Sequence, residues 1–178
     1  MSEDNEVKTS AEGAQAFVDG YYKSCSERRQ LASYYINSSA HYRGANMQAD
    51  ISINGMVLED PTKFEELLEK QANGGRVKYD VEGFDAHVLN ANFVVAMPEN
   101  LRPAQQAGRT SRDRADRDHK ISIMVMVNGA VQFGADRSAP RRPFTEVFVL
   151  VPNWDSMGPK AQRGAKRFLI LSQNYRAM

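Results

Sequence analysis

The chain has 178 residues, a formal net charge of +1 at pH 7, 42% apolar residues and 25% charged residues. That length suits one domain with a substantial core. The near-neutral balance excludes bulk attraction to nucleic acid, so any such contact needs a local basic patch. The single cysteine, Cys25, excludes an intramolecular disulfide and points to a reducing compartment, cytosol or nucleus.

The opening residues, MSEDNEVKTSAEG, are polar and acidic. They lack the basic start and apolar block of a secretory signal. No apolar run approaches the ~20 residues of a membrane helix. A soluble intracellular protein is expected, with residues 1–9 as a disordered tail and a single domain over residues 10–178. From Ser10, a residue able to cap a helix, Ala14, Phe17, Val18, Tyr21 and Tyr22 recur at helical spacing and predict a helix over 10–25. Leu31, Tyr34 and Tyr35 predict a short second helix. Residues 37–50 read as a polar, irregular insertion.

Asn54-Gly55 lies between Ile51/Ile53 and Val57, the strongest short signal for a hairpin, because both residues tolerate positive φ. A third helix follows, with Pro61 near its start, Phe64, Leu67 and Leu68 as its apolar stripe and Gly74-Gly75 as its stop. After Gly75 the apolar period changes to two, through Val77, Tyr79 and Val81. NFVVAM (92–97) reads as a short strand. Long strands follow in KISIMVMVNGAVQFG, with Asn128-Gly129 as a bulge or turn, then in RPFTEVFVLVPN and AKRFLILSQNYRA. Helices first and long strands after define an α+β fold, a curved antiparallel sheet with three helices on one face.

Catalytic candidates are few. Asp85 and His87 share one face of a strand and could be a base and its orienter if buried, or a solvent-facing pair if not. His41, His119 and Cys25 form no metal-ligand spacing, no phosphate-binding glycine loop is present, and no cofactor is expected.

The late strands carry apolar residues on both faces. Ile121, Ile123, Val125 and Val127 alternate with Ser122, Met124, Met126 and Asn128. Three helices can cover one face only, so the other should meet a second sheet. Met124, Met126, Val147, Val149, Ile170 and Asn174 are the expected partner interface, with methionine suited to an adaptable contact. Between NFVVAM and ISIMVMV lies the charged insertion 98–119, with Arg102, Arg109, Arg112, Arg114 and Arg117, followed by Lys120. If these cluster with Arg141 and Arg142, they form a basic patch suited to RNA phosphates.

The order of elements, AFVDGYYKSCSERRQLASYYIN, SINGMVLEDPTKFEELLE, IMVMVNGAVQFGADRSAPRRPFTEVFVLVPN and FLILSQNYRAM, resembles the nuclear transport factor 2-like family. The Val-Asn-Gly…Val-Gln-Phe-Gly run and the Gln-Asn-Tyr-Arg ending resemble one branch, the small subunit of the fungal general mRNA export receptor. The resemblance implies a cone-shaped fold and a sheet-to-sheet heterodimer with the matching domain of a larger export receptor. It also implies nuclear-pore partners with phenylalanine-glycine repeats, RNA or ribonucleoprotein cargo that extends to ribosomal particles, shuttling between nucleus and cytoplasm, and no catalysis. Two alternatives share the fold. One is a small cavity enzyme of isomerase or dehydratase type, using Asp85 and His87. The other is a homodimeric carrier of a small GTPase, which the arginines of GADRSAPRR disfavour.

Overall fold

The structure, a computed structural model, describes residues 3–102, 120–134, 136–158 and 160–178. Helix α1 spans Glu3–Glu27, so the first residues described are helical where the sequence suggests a tail. Acidic Glu3, Asp4 and Glu6 sit in the first turn, where negative charge complements the helix dipole. Its buried face carries Ala14, Phe17, Val18, Tyr21, Tyr22 and Cys25, the spacing read from sequence.

The predicted second helix is instead two 3-10 turns, Leu31–Tyr34 and Ile36–Ser38. Aromatic and β-branched residues are weak helix formers, and here packing decides: Tyr35 and Ile36 are fully buried. The segment expected to be an irregular insertion holds α2 (Ala40–Gly44). It is anchored by Tyr42, fully buried, whose hydroxyl donates to the Pro152 carbonyl at 2.7 Å. Asn37 Oδ1 accepts from the Ala49 amide at 2.8 Å and closes the loop.

The Asn-Gly hairpin forms as predicted. Strands β1 (Asp50–Ile53) and β2 (Met56–Leu58) flank Asn54 (φ 50°) and Gly55 (φ 82°). The Asn54 side chain accepts from the Ala177 amide at 2.8 Å, tying the turn to the C-terminal strand. Helix α3 (Pro61–Ala72) starts at Asp60, whose carboxylate accepts from the Thr62 amide at 2.8 Å, and stops at Asn73 in the left-handed region.

Four long strands complete the sheet: β3 (Val77–Asn90), β4 (Ser122–Phe133), β5 (Arg141–Pro152) and β6 (Phe168–Ala177). The strand order is β2-β1-β6-β5-β4-β3. All neighbours pair antiparallel except β1 and β6, so the sheet is mixed rather than purely antiparallel. β1 reaches its place from the helical layer, not through a hairpin with β6, and this permits the parallel pairing. Helices α1 and α3 and the 3-10 turns lie on one face. NFVVAM is not a strand. Phe93 and Met97 are buried while Val94 and Val95 are exposed. The segment is held irregular by Phe93 N–H donating to the Lys120 carbonyl at 2.7 Å, Trp154 Nε1–H donating to the Val95 carbonyl at 3.0 Å, and Ala96 at φ 56°.

Asn128-Gly129 is not a turn. It lies inside β4, opposite a bulge on β3 where the register slips between Val81 and Gly83. A side chain on Gly129 would place its Cβ 2.2 Å from the Asp80 carbonyl oxygen and 3.0 Å from Val81 Cα, both backbone atoms of the neighbouring strand. Gly129→Ala is therefore expected to lower stability by about 2–4 kcal/mol. Gly44→Ala, at a position with nothing within 4 Å, should change it by less than ~1 kcal/mol in either direction. Urea unfolding of the two variants measures the difference, and equal midpoints would contradict the close approach.

Candidate functional site: the uncovered sheet face and the filled cone

Alternation places two different surfaces on the same strands. On β4, Ile123, Val125 and Val127 are buried beneath the helices, while Met124 is half-buried and Met126 is 45% exposed on the opposite face. Register extends that outer face across the sheet. Val57, Ser52, Asn174, Val147, Met126 and Asp85 form one cross-strand row, by successive pairing of β2, β1, β6, β5, β4 and β3. Ser172, Val149, Met124 and His87 form the next. The outer face thus has an apolar centre of methionine and valine with a polar rim, the composition of a protein interface.

Ile170 does not belong to it. It is fully buried and bridges to Tyr35 in the core. The register between β5 and β6 slips between Val149 and Leu150, and this bulge reverses the side-chain parity expected for Ile170. The other five expected interface residues, Met124, Met126, Val147, Val149 and Asn174, lie together on the outer face.

Asp85 and His87 are also on the outer face and exposed, not in a cavity. The cone interior holds different chemistry. Glu146 on β5 is 1% exposed and points inward between Phe144 and Phe148. Its Oε1 accepts from the Tyr22 hydroxyl at 2.7 Å and its Oε2 from Gln173 Nε2 at 2.6 Å. Gln173 Nε2 also donates to the Tyr21 hydroxyl, and Gln173 Oε1 accepts from the Tyr35 hydroxyl, each at 2.6 Å. Aromatic rings close the space around them: Phe148 meets Phe17 and Tyr21 edge-on at 5.0 and 5.1 Å, and Tyr22 meets Phe144 at 5.6 Å. Burial pushes the Glu146 carboxyl up to about 7, against the opposing effect of the hydrogen bonds from Gln173 and Tyr22. Burial also pushes the Cys25 thiol well up, which keeps it unreactive. Among the described residues no group of His, Cys, Asp and Glu could hold a metal.

This network was missed in the sequence. Its signal was there: Glu146 is a lone carboxylate in TEVFVLV, on the same parity as Phe144 and Phe148.

The expected basic patch divides. Arg109, Arg112, Arg114 and Arg117 lie outside the described residues. Lys120 is 6% exposed and its Nζ donates to the Leu101 carbonyl at 3.0 Å, so it fastens the base of the insertion and is not open to a phosphate. Arg141 pairs with Asp80 at 2.8 Å and Glu82 at 3.2 Å. Arg141 and Arg142 start β5, whereas the insertion joins the sheet where β5 ends, at Ile123 opposite Leu150. Strand rise separates these ends by roughly 30 Å. Antiparallel hairpins put alternate loops at opposite ends, so nearness in sequence did not mean nearness in space.

The Glu146 network makes stability depend on pH. A carboxyl held at about 7 when folded, against an ordinary 4.5, binds a proton more tightly in the folded state. Its stabilising contribution is full below the unfolded value and is lost as pH rises through the folded one. The melting temperature should fall between about pH 4.5 and about pH 7 and level off above that. Glu146→Gln should flatten that slope and raise the melting temperature at the alkaline end. Calorimetry across the range checks it, and an unchanged slope would refute the assignment to Glu146.

No family model matches the chain, and comparison with curated proteins finds no match. Solved structures do. A chain in the structure of the Chaetomium thermophilum Mex67 NTF2-like domain complexed with Mtr2 is 35% identical, with a TM-score of 0.80, covering 96% of this chain and 99% of that one. A chain in a structure of Sac3N peptide bound to Mex67:Mtr2 is 36% identical, with the same TM-score and coverage. A structure of Mtr2 itself is 31% identical, with a TM-score of 0.78 over 96% of this chain and 99% of that one. At this identity over nearly full length, with TM-scores near 0.8, the chain shares their fold and belongs to the Mtr2 family of NTF2-like proteins.

Proposed function

We propose that this chain is the small, non-catalytic subunit of a heterodimeric mRNA export receptor. Its outer sheet face is covered by the NTF2-like domain of a larger Mex67-type partner. One observation carries the proposal: the chain is similar over 96% of its length to chains from Mex67:Mtr2 complexes, and it presents an uncovered apolar sheet centre of the kind such a complex buries. Met124, Met126, Val147, Val149 and Asn174 are the proposed contact residues. A sheet of this curvature can pack face to face with a like-curved sheet at about 10 Å.

The same reading extends to contact with phenylalanine-glycine repeats at nuclear pores, shuttling between nucleus and cytoplasm, and carriage of mRNA and ribosomal particles. RNA contact is assigned to the insertion bearing Arg109, Arg112, Arg114 and Arg117, and no longer to Lys120 or Arg141. The cavity-enzyme alternative has lost its residues, since Asp85 and His87 are exposed on the outer face and the cone is filled by aromatic rings around Glu146.

Coexpression with the Mex67-type NTF2-like domain, followed by light scattering and titration, tests the interface. A one-to-one complex is expected. Met126→Asp combined with Val147→Asp should weaken it roughly 30-fold or more, because each puts an unpaired carboxylate at the centre of a desolvated contact. Asp85→Asn at the rim should change affinity less than ~3-fold. A homodimer, or an unaffected double variant, would overturn the proposal.

A further inference from the structure

At the end of the sheet where β3 and β5 finish, two loops pack against each other. Leu101, from the segment before the insertion, faces Gly158, from the β5–β6 loop. Trp154 is bonded to Val95, and Asn153 Nδ2 donates to the Lys166 carbonyl at 2.8 Å. Between these loops and the 3-10 turns lies a cleft of about 610 Å³. That is the size range of small-ligand sites, ~300–1,000 Å³.

Its lining has two parts. Pro98, Leu101 and Met157 supply half-buried apolar contacts, with Trp154 and Leu169 buried behind them. Lys160, Lys166, Asn100, Gln162, Ser33 and Ser38 supply a rim of cations, amides and hydroxyls. Lys166 Nζ stands 4.5 Å over the Tyr34 ring, which orients it. Neither lysine has a carboxylate partner within 4.0 Å among the described residues. The one acid among the described lining residues, Asp155, is engaged by His41 at 3.2 Å. A mostly polar lining of ammonium groups, amides and hydroxyls around a small apolar contact suits a phosphate and the polar edges of a nucleobase more than an apolar ligand or a cation. The arginine-rich insertion also leaves and rejoins the fold at this wall. Lys120, where it returns, is bonded to Leu101, a lining residue.

We infer that this cleft holds a nucleotide unit of single-stranded RNA, with Lys160 and Lys166 on its phosphates. The inference rests on the RNA-carrying part of the proposed function. It assigns the contact to a built cleft on the fold and not to the insertion alone.

The test is fluorescence anisotropy with a labelled oligouridylate of about ten nucleotides. It uses the full chain, alone and in its heterodimer, over a range of salt. Lys160→Glu with Lys166→Glu should weaken binding about tenfold at moderate salt and make the log–log salt slope shallower by about 1.4. Asp155→Asn, which keeps an oxygen for His41 and removes the carboxylate of the described lining, should tighten binding about threefold. That gain cannot come from misfolding. Lys63→Glu with Lys70→Glu on α3 should change affinity less than about twofold, as the control for net charge. Melting temperature and heterodimer formation, read in parallel, separate folding from binding.

If reversing Arg109, Arg112, Arg114 and Arg117 abolishes binding while the cleft variants change nothing, the cleft is not the seat and the inference falls, leaving RNA carriage by the insertion intact. If wild type does not bind, or every charge reversal weakens it equally, both the inference and the RNA reading fall. If the cleft variants alter binding of a phosphoserine peptide and not of RNA, the cleft is a phosphopeptide site and the inference is overturned.

Discussion

The structure depends on strands that are apolar on both faces. β4 and β5 carry Ile123, Val125, Val127 and Phe148 toward the helices, and Met124, Met126, Val147 and Val149 away from them. Side chains on a strand alternate, so covering one face necessarily turns the other outward. The helical layer is large enough for one face only. The chain's folding thus creates a second surface whose apolar centre is left uncovered, and the hydrophobic term that builds the core would also favour the association proposed for this face.

The inner face carries a cost that shapes the cone. Glu146 sits where an apolar side chain would pack, and among the described residues no cation pairs with its carboxylate. It is accommodated because Tyr22, Tyr21, Tyr35 and Gln173 link into one hydrogen-bonded set around it. Such a fully bonded network is directional where apolar packing is not, so it defines how α1, the 3-10 turns, β5 and β6 come together. It also occupies the space in which a fold of this shape could otherwise hold a substrate. Glu146 and Gln173 are chain neighbours of Val147 and Asn174 on the outer face, so the interior network and the outer face proposed for the partner are built from the same short stretches of β5 and β6.

The loops at one end of the sheet form a third, distinct environment. They are polar in sequence yet well anchored: Trp154 and Tyr42 each bury a ring and donate a hydrogen bond to backbone, and Lys120 spends its charge on a carbonyl. Their anchoring is what gives the cleft at Lys160 and Lys166 a defined wall.

Sequence alone determined the element types wherever a local rule was strong. Asn54-Gly55 forced a hairpin because both positions need positive φ. Asp60-Pro61 opened a helix, and the spacing of Phe17, Val18, Tyr21 and Tyr22 set the buried face of α1. The two-faced character of β4 and β5 was legible for the same reason, since strand period is two and admits no other reading over so many residues. What only tertiary structure decided was everything set by register and topology. The bulge between β5 and β6 moved Ile170 into the core, because one extra residue reverses parity beyond it. The antiparallel path sent Arg141 and Arg142 to the opposite end of the sheet from the insertion, because successive hairpin loops alternate ends. Glu146 became buried and bonded only when tyrosines and a glutamine distant in the chain, up to 152 residues apart for Tyr21 and Gln173, converged on one point. Period and turn chemistry act over a few residues and can be read directly. Register, convergence and which end a loop occupies are properties of the assembled sheet.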